Sequence, residues 1–482
     1  MAPSNSKGTG LSYIRLNKHY IHLPYLFLGL VELGLLILAA WLADRWQLAL
    51  AGSPVDMLHP QPRWGIMLLF ALVLSCCTLS MGVYIALVRE GFASMLLRTL
   101  VSFFLLGSAA LFVLNLLAAG SLFSQGFIFW GVLCATALVL VARWVFLMWV
   151  DTAQLKRRVV FYGAGQRAQR LLEDLEPEKD LIGVEVIGCI PSGSEPLVVA
   201  EHLILPEPQD WLAFAKNHRI SEIVVSPDER RRGQGGVFPM NELIDCKLAG
   251  IFTSEAQSFC ERELGKIDIS LLNPGWMLFS DGFKYSKRRD AAKRLFDLGL
   301  AGLFLLLLWP LMLLTALAVM LESGRPLLYH QDRMGKNGRR FRIYKFRSMV
   351  QDAEKEGEAV WAQKNDSRVT RVGAFIRNTR LDELPQLYNV FKGDMSFVGP
   401  RPERPEFVAG LAEQIPFYDI RHKVKPGLMG WAQLKYPYGA SVEDAKNKLQ
   451  YDLYYTKNHG FLMDMLILIQ TVEIVLLGKG VH

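Results

Sequence analysis

Residues 381–402 read LDELPQLYNVFKGDMSFVGPRP. Pro385 is tolerated in the first turn of a helix but not in its interior, so a helix is expected to begin near Asp382, with that side chain at or close to the N-cap. Free N–H groups and the helix dipole favour an ionised carboxylate there, and an ionised Asp can act as a nucleophile. The adjacent Glu383 is an oxygen ligand of the kind Mg²⁺ prefers. Gly399-Pro400-Arg401-Pro402 is a stiff loop presenting one guanidinium, a group suited to bidentate phosphate recognition. An Asp-Glu pair alone also fits a plain capping residue, so the flanking sequence has to discriminate.

Just upstream stand Arg377 and Arg380. Together with a divalent cation they would remove the repulsion between a carboxylate and a diphosphate. Further upstream, Arg333–Arg347 holds seven basic residues and no acidic one. Period-two alternation puts Arg342, Tyr344 and Phe346 on one face of a strand and Ile343, Lys345 and Arg347 on the other. That basic surface suits lipid headgroups or substrate phosphates, or is simply a solvated edge. His422–Trp431 forms another basic, glycine-containing loop.

Arg288–Arg294 is strongly basic, and Phe296–Leu321 is almost wholly apolar with Pro310 near its middle. By length this run could cross a bilayer. A crossing would carry the Lys- and Arg-rich remainder outside, against the positive-inside tendency. A helix bent at Pro310, with Lys293/Arg294 and Arg325 anchoring its ends, instead enters and leaves by one leaflet. The alternative is a kinked spanning helix. The final apolar run, Phe461–Leu477, carries Asp464 and Glu473, which favours a helix lying on the membrane or packed on a domain.

The N-terminal part is different. Four runs, Tyr25–Leu42, Trp64–Val88, Leu96–Ala119 and Phe127–Val150, are long enough to span. The bases Lys7, Arg15, Lys18, Arg89, Arg98, Lys156, Arg157 and Arg158 place the N-terminus and everything after Val150 in the cytoplasm. Half of the 482 residues are apolar, as membrane segments require, and the net charge of +7 suits an anionic partner. Six scattered cysteines without a CxxC or paired His argue against a disulfide framework or structural zinc.

Between these parts, Arg158–Tyr162 reads as a strand leading into Gly163-Ala164-Gly165-Gln166-Arg167-Ala168 and a helical stretch to Leu175. That is the setting of a phosphate-binding GxGxxA loop, with Gly163 and Gly165 as its nucleotide-contacting glycines. A second strand, Val184–Ile190, lacks the acidic residue that would hold a ribose. Leu203–Leu205 and Glu222–Ser226 are further strand-like runs. The pattern favours a Rossmann-like scaffold that keeps the turn for packing over one with a bound nucleotide.

Five strings, KRLFD (293–297), YKFRSM (344–349), TRLDELPQL (379–387), NVFKGDMSFVGPRP (389–402) and VKPGLMGWAQL (424–434), lie in about forty per cent of the chain. In combination they resemble the bacterial sugar transferase family, the monotopic phosphoglycosyl transferases. The architecture resembles the family's large branch, with residues 1–150 as a four-helix transmembrane bundle and 151–280 as the Rossmann-like domain. Residues 281–325 would be the basic segment and re-entrant helix, and 326–482 a small, mostly α catalytic domain. The resemblance implies a two-step transfer on Mg²⁺ at the cytoplasmic face of the bacterial inner membrane. Asp382 would attack the β-phosphate of a UDP-sugar and release UMP, and undecaprenyl phosphate would then take the sugar phosphate. The sugar would be glucose first and galactose second. Glu383, with Asp382, would bind the metal, and Lys345, Arg377 and Arg401 match family positions near the phosphates. Many members have Ser-Pro at the kink where this chain has Trp309-Pro310. A homodimer is compatible with this branch, and a nucleic acid is not an expected partner. The alternatives are a membrane-tethered NAD-dependent UDP-sugar dehydratase, whose Tyr-x-x-x-Lys pair is met only by Tyr388 and Lys392, and a non-catalytic assembly scaffold.

Overall fold

A computed structural model describes residues 13–16, 19–51, 64–81, 83, 92–118, 122–149, 156–175, 184–193, 195–228, 238–272, 274–283, 286–350, 368–437, 439 and 441–477. Lys7, Lys18 and Arg89, which carry part of the orientation argument, and residues 84–88 of the second apolar run lie outside them. The chain forms two compact units, Met1–Glu255 and Ala256–His482.

The first unit opens with an antiparallel pair, β1 (Tyr13–Leu16) and β2 (His19–His22). The apolar helices are α1 (Leu23–Ala51), α2 (Trp64–Ser80), α3 (Phe92–Leu100), α4 (Ser108–Leu117) and α5 (Gln125–Trp149), with a π-helical segment, Val101–Gly107, joining α3 to α4. Phe27–Gln47, Met95–Leu117 and Gln125–Met148 are long and apolar enough to cross a membrane; the described part of α2 is shorter. Small side chains, Ala39, Ala40 and Ala43 on α1 with Ala135 on α5, lie in a core shared with Phe70 and Leu74 of α2. Small residues let helices approach closely where water provides no driving force. Inside this bundle Arg143 makes a bidentate pair with Glu32, at 2.7 and 2.8 Å, and donates to Thr99.

The sheet of this unit contains β3 (Arg157–Tyr162), β4 (Val184–Ile190), β5 (Glu222–Val225) and β6 (Phe252–Glu255), with α6 (Gln166–Asp174), α7 (Trp211–Asn217) and α8 (Met240–Leu248) between strands. All pairings are parallel, in the order β4-β3-β5-β6. Its apolar strands read as near-continuous hydrophobic runs, as in a sheet covered on both faces. The expected strand Leu203–Leu205 is instead a 3₁₀ turn, Glu201–Leu203, and a single bridge from Ile204 to Cys189.

The second unit begins with α9 (Ala256–Leu264) and α10 (Pro274–Phe279), followed by α11 (Lys287–Ser323), a 37-residue helix N-capped by Ser286 and containing Pro310. At 1.5 Å per residue it is about 55 Å long. Both of its ends pack on the same unit. Near the start, Ala301 lies in a core with Leu387, Val390 and Phe397. Near the end, Val319 packs with Phe346 and Ile376. Leu306, Leu307, Trp309, Leu313 and Leu314 between them are exposed.

The KRLFD residues dock the helix. Lys293 reaches Asp464 at 2.6 Å, Arg294 donates to the carbonyls of Val390 and Phe391, and the buried Asp297 accepts from Ser396 Oγ and Phe397 N. Next come the antiparallel β7 (Leu328–Met334) and β8 (Arg340–Phe346), α12 (Arg371–Asn378), α13 (Gln386–Lys392) and β9 (Ser396–Val398). Then follow α14 (Pro405–Gln414), β10 (Gly427–Met429), α15 (Trp431–Lys435), α16 (Val442–Asn458) and α17 (Phe461–Leu477). Strands β9 and β10 pair in parallel. A Cβ on Gly399 would lie 2.2 Å from Lys425 O, and one on Gly427 would lie 2.1 Å from Gly399 N, so this approach of two backbones requires glycine. Helix α17 packs on the unit through Ile467, with Asp464 buried.

Candidate active site

Asp382 does not start an α-helix. Leu381–Glu383 is a single 3₁₀ turn, and the α-helix begins only at Gln386, with Pro385 just ahead of it. Arg380 adopts a left-handed backbone (φ 60°), which ends the approach from α12 and turns the chain. Glu383 N and Leu384 N then donate three residues back, to Arg380 O and Leu381 O. A helix dipole therefore does not account for the charge on Asp382. Lys345 of β8 opposes the cost of burying that carboxylate without overcoming it.

Lys345 of β8 places Nζ 2.8 Å from Glu383 and 3.9 Å from Asp382. Arg401 and Arg380 approach Glu383 at 3.7 and 3.9 Å. Burial works against the Glu383 carboxylate, but Lys345, Arg401 and Arg380 outweigh it and hold its pKa at about 2. Asp382 is the opposite case. Burial raises its pKa, Lys345 only partly offsets this, and the Glu383 charge adds to the rise. Burial also lowers the pKa of Lys345, against the pull of Glu383. The two carboxyls thus sit in divergent electrostatic settings although adjacent in sequence, a pattern that separates roles at reactive sites.

Asp382, Lys345, Arg380 and Arg401 border a cleft of about 560 Å³. Ile343 and Lys345 of β8 and Arg347 just after it line the cleft, and so does Phe346, which the alternation assigns to the other face; Arg377, Arg380, Asp382 and Arg401 line it too. Arg377 also touches Met349 Sδ at 4.0 Å. Arg347 has a further attachment: its Nη2 donates to Ser323 O and to Gly324 O, so it caps the end of α11. Pro400 and Pro402 flank Arg401 in a loop whose carbonyls are bonded from outside, by Gly427 N to Pro400 O and by Arg333 to Pro402 O. Sequence reading did not single out Arg404, Gln433, Tyr436 and Lys448, which also line the cleft. Arg404 had a local signal in the Arg-Pro-Glu-Arg run. Lys448 had one in helix α16, which opens with a Ser441/Asp444 capping box.

Among the described residues no group of three or more His, Cys, Asp or Glu converges. The donor set is the Asp382–Glu383 pair. It fits Mg²⁺, which is commonly bound by one or two carboxylates and completed by substrate phosphates and water.

The glycine loop of the first unit is built differently. Gly163 has φ +121°, and a Cβ there would lie 2.7 Å from Ser226 O. Gly165 faces Asp228 and Glu195. The N–H groups of Gln166 and Arg167 donate to Asp228 at 2.8 Å each, and Ala164 N donates to Glu195 at 2.6 Å. The chain's own carboxylates stand where a bound phosphate would receive these bonds.

Comparison with known proteins agrees with the geometry. The bacterial sugar transferase family model matches residues 288–478, and a CoA-binding domain model matches residues 79–227. The chain is 44% identical over 241 residues to the UDP-N-acetylgalactosamine-undecaprenyl-phosphate N-acetylgalactosaminephosphotransferase of Aeromonas hydrophila, covering 49% of this chain and 55% of that protein. It is 31% identical over 340 residues, 68% of each chain, to the UDP-glucose:undecaprenyl-phosphate glucose-1-phosphate transferase of Xanthomonas campestris pv. campestris. It is 42% identical to the exopolysaccharide production protein PSS of Rhizobium leguminosarum bv. phaseoli, covering 39% of this chain and 97% of that one. With four of its five signature strings contributing residues to one cleft, and with 31% identity over 68% of each chain to the Xanthomonas relative although the chain spans only 55% of the Aeromonas one, this chain belongs to the bacterial sugar transferase family.

Proposed function

We propose that the protein transfers a sugar-1-phosphate from a UDP-sugar to undecaprenyl phosphate, starting the repeat unit of an exopolysaccharide or O-antigen. The observation that carries this reading is the Asp382–Glu383 pair, with Asp382 lining a basic cleft of about 560 Å³ and the two carboxyls held in different electrostatic states. In the first step an Asp382 oxygen attacks the β-phosphorus of the UDP-sugar. A carboxyl–phosphate bond forms, the phosphoanhydride bond breaks, and UMP leaves with the bridging oxygen. In the second step a phosphate oxygen of the lipid attacks the same phosphorus, forms the diphosphate and returns Asp382 to its carboxylate. Lys345, Arg377 and Arg401 would bind and orient the phosphates. Asp382 and Glu383 would hold Mg²⁺, whose chemistry when bound is to neutralise charge on the diphosphate.

Glucose-1-phosphate is the first sugar proposed, in keeping with the match to the Xanthomonas protein. The higher identity to a protein named for N-acetylgalactosamine supports a second reading, in which UDP-N-acetylgalactosamine is the donor. Purified, detergent-solubilised protein given each UDP-sugar and Mg²⁺ without lipid acceptor should release one equivalent of UMP per enzyme, then turn over when undecaprenyl phosphate is added. No UMP from the wild type with any common UDP-sugar would remove this reading, and full activity in Asp382→Asn would remove the covalent step.

We place the catalytic unit on the cytoplasmic face, with α11 re-entrant at Pro310. Packing of both helix ends on one unit supports this, as do the basic residues. Cysteines introduced beyond Arg325 in a cysteine-free background should label only after cells are permeabilised. Labelling in intact cells would overturn the topology.

A further inference from the structure

The loop carrying Arg401 is held by its carbonyl groups. Gly427 N of β10 donates to Pro400 O at 3.0 Å, and Arg421 Nη2 donates to Arg401 O at 2.9 Å. Arg333 Nη1 of β7 donates to Pro402 O at 3.1 Å, and Met334 N donates to Glu403 O at 2.9 Å. Four consecutive carbonyls are thus fixed by donors from three separate parts of the unit. Gly427 N and Met334 N are main-chain donors of strands, whose positions the sheet pairing sets, and the Arg333 side chain is steadied by its bond to Gln331. The fourth, Arg421, lies in the 3₁₀ segment Tyr418–Lys423 and must be placed by its own side-chain partners.

Those partners are present. Arg421 is 6% exposed and pairs with Asp452 of α16 at 2.8 Å, Asp452 being 2% exposed. Its Nη1 donates to Tyr418 Oη at 2.7 Å. One rigid guanidinium fork therefore links a buried carboxylate, a phenol hydroxyl and the main chain of Arg401. A buried ion pair is a costly way to gain stability, since apolar residues of similar volume often serve as well. Fixing a geometry is a better-attested use of such a group.

We infer that Arg421, held by Asp452 and Tyr418, is a positioning residue that sets where the Arg401 guanidinium stands relative to Glu383 and the substrate phosphates. The inference rests on the transferase reading above. Arg421, Tyr418 and Asp452 themselves border the cleft, but the role inferred for Arg421 runs through the peptide carbonyl of Arg401. A displacement of about 1 Å at a positioning contact can cost on the order of 10²-fold in rate, so a change buried behind the loop should be felt at the cleft.

The test is a double-mutant cycle on UMP release, with thermal melting of the full-length, detergent-solubilised protein for every variant. The set is wild type, Arg401→Ala, Arg421→Lys and the double variant. Lysine keeps the charge opposite Asp452 but cannot hold three partners in one plane. Arg421→Lys should lower kcat/KM by about 10²-fold. Placed on Arg401→Ala, the same change should cost no more than about twofold, because the side chain it positions is gone. Full loss in both backgrounds, or no loss in a folded Arg421→Lys, overturns the inference. If Arg421→Lys fails to fold, Tyr418→Phe enters the same cycle. It should lower kcat/KM several-fold alone and hardly at all on Arg401→Ala, and equal losses in both backgrounds or an unchanged rate overturns the inference. A wild type that releases no UMP would instead defeat the transferase reading.

Discussion

The chain contains two sites where phosphate recognition is legible, and they are filled in opposite ways. In the first unit, backbone N–H groups at the start of α6 point at a place occupied by Glu195 and Asp228. In the second, Asp382 and Glu383 are answered by Lys345, Arg380 and Arg401 around a cleft of about 560 Å³. A phosphate entering the glycine loop would have to expel two carboxylates that already satisfy its donors. A phosphate entering the cleft meets cations shared between acids and open space. The same fold-level motif can thus be retained as structure while reactivity is built elsewhere from side chains.

The largest effect that tests this contrast is at Asp382. Asp382→Asn should reduce UMP release by roughly 10⁴-fold or more, as loss of a nucleophile does. The same change should raise the melting temperature at neutral pH. Asp382 has a folded-state pKa above its unfolded value, so its ionised form costs stability above that pKa and the cost disappears as it protonates. A lower melting temperature would show instead that the fold stabilises the ionised form of Asp382. Arg401→Ala should follow, at about 10²–10³-fold in kcat. An unchanged rate would move the phosphate contact away from the loop.

Glu383→Gln sharpens the comparison within the pair. The Glu383 pKa of about 2 lies below the unfolded value, so its contribution is present above pH ~4.5 and is lost as pH falls toward 2. Glu383→Gln should therefore lower the neutral-pH melting temperature, the reverse of Asp382→Asn. The smallest effect belongs to the glycine loop. Asp228→Ala should cost about 1 kcal/mol of stability, the worth of a lost helix cap, and leave UMP release unchanged. A fall in activity at unchanged folding would mean the first unit takes part in catalysis.

Much of the reactive site could be read locally. Period-two alternation put Lys345 and Arg347 on one face, and both line the cleft. The parallel sheet followed from strand–turn–helix spacing. Features that depend on distant partners were not legible. Asp228 lies 61 and 62 residues from the N–H groups it accepts. Arg421 is 31 residues from Asp452, and nothing near either position marks the pair. The start of the helix at Asp382 was misplaced because Arg380 takes a left-handed backbone that a non-glycine residue rarely adopts. Alternation puts Arg347 on a basic face suited to substrate phosphates, yet its guanidinium also closes the end of α11, 24 residues upstream.

The packing of α11 bears on how the protein is made. Its N-terminal part covers Leu387, Val390 and Phe397, and its C-terminal part covers Phe346 and Ile376. Without this helix those side chains would face water, and Ser396 and Phe397 N would lose Asp297. The catalytic unit is therefore not a soluble enzyme with an added anchor. Its interior is completed by a helix long and apolar enough to cross a membrane, so that helix and the rest of the unit fold together, and a truncation starting after Ser323 should yield an insoluble product.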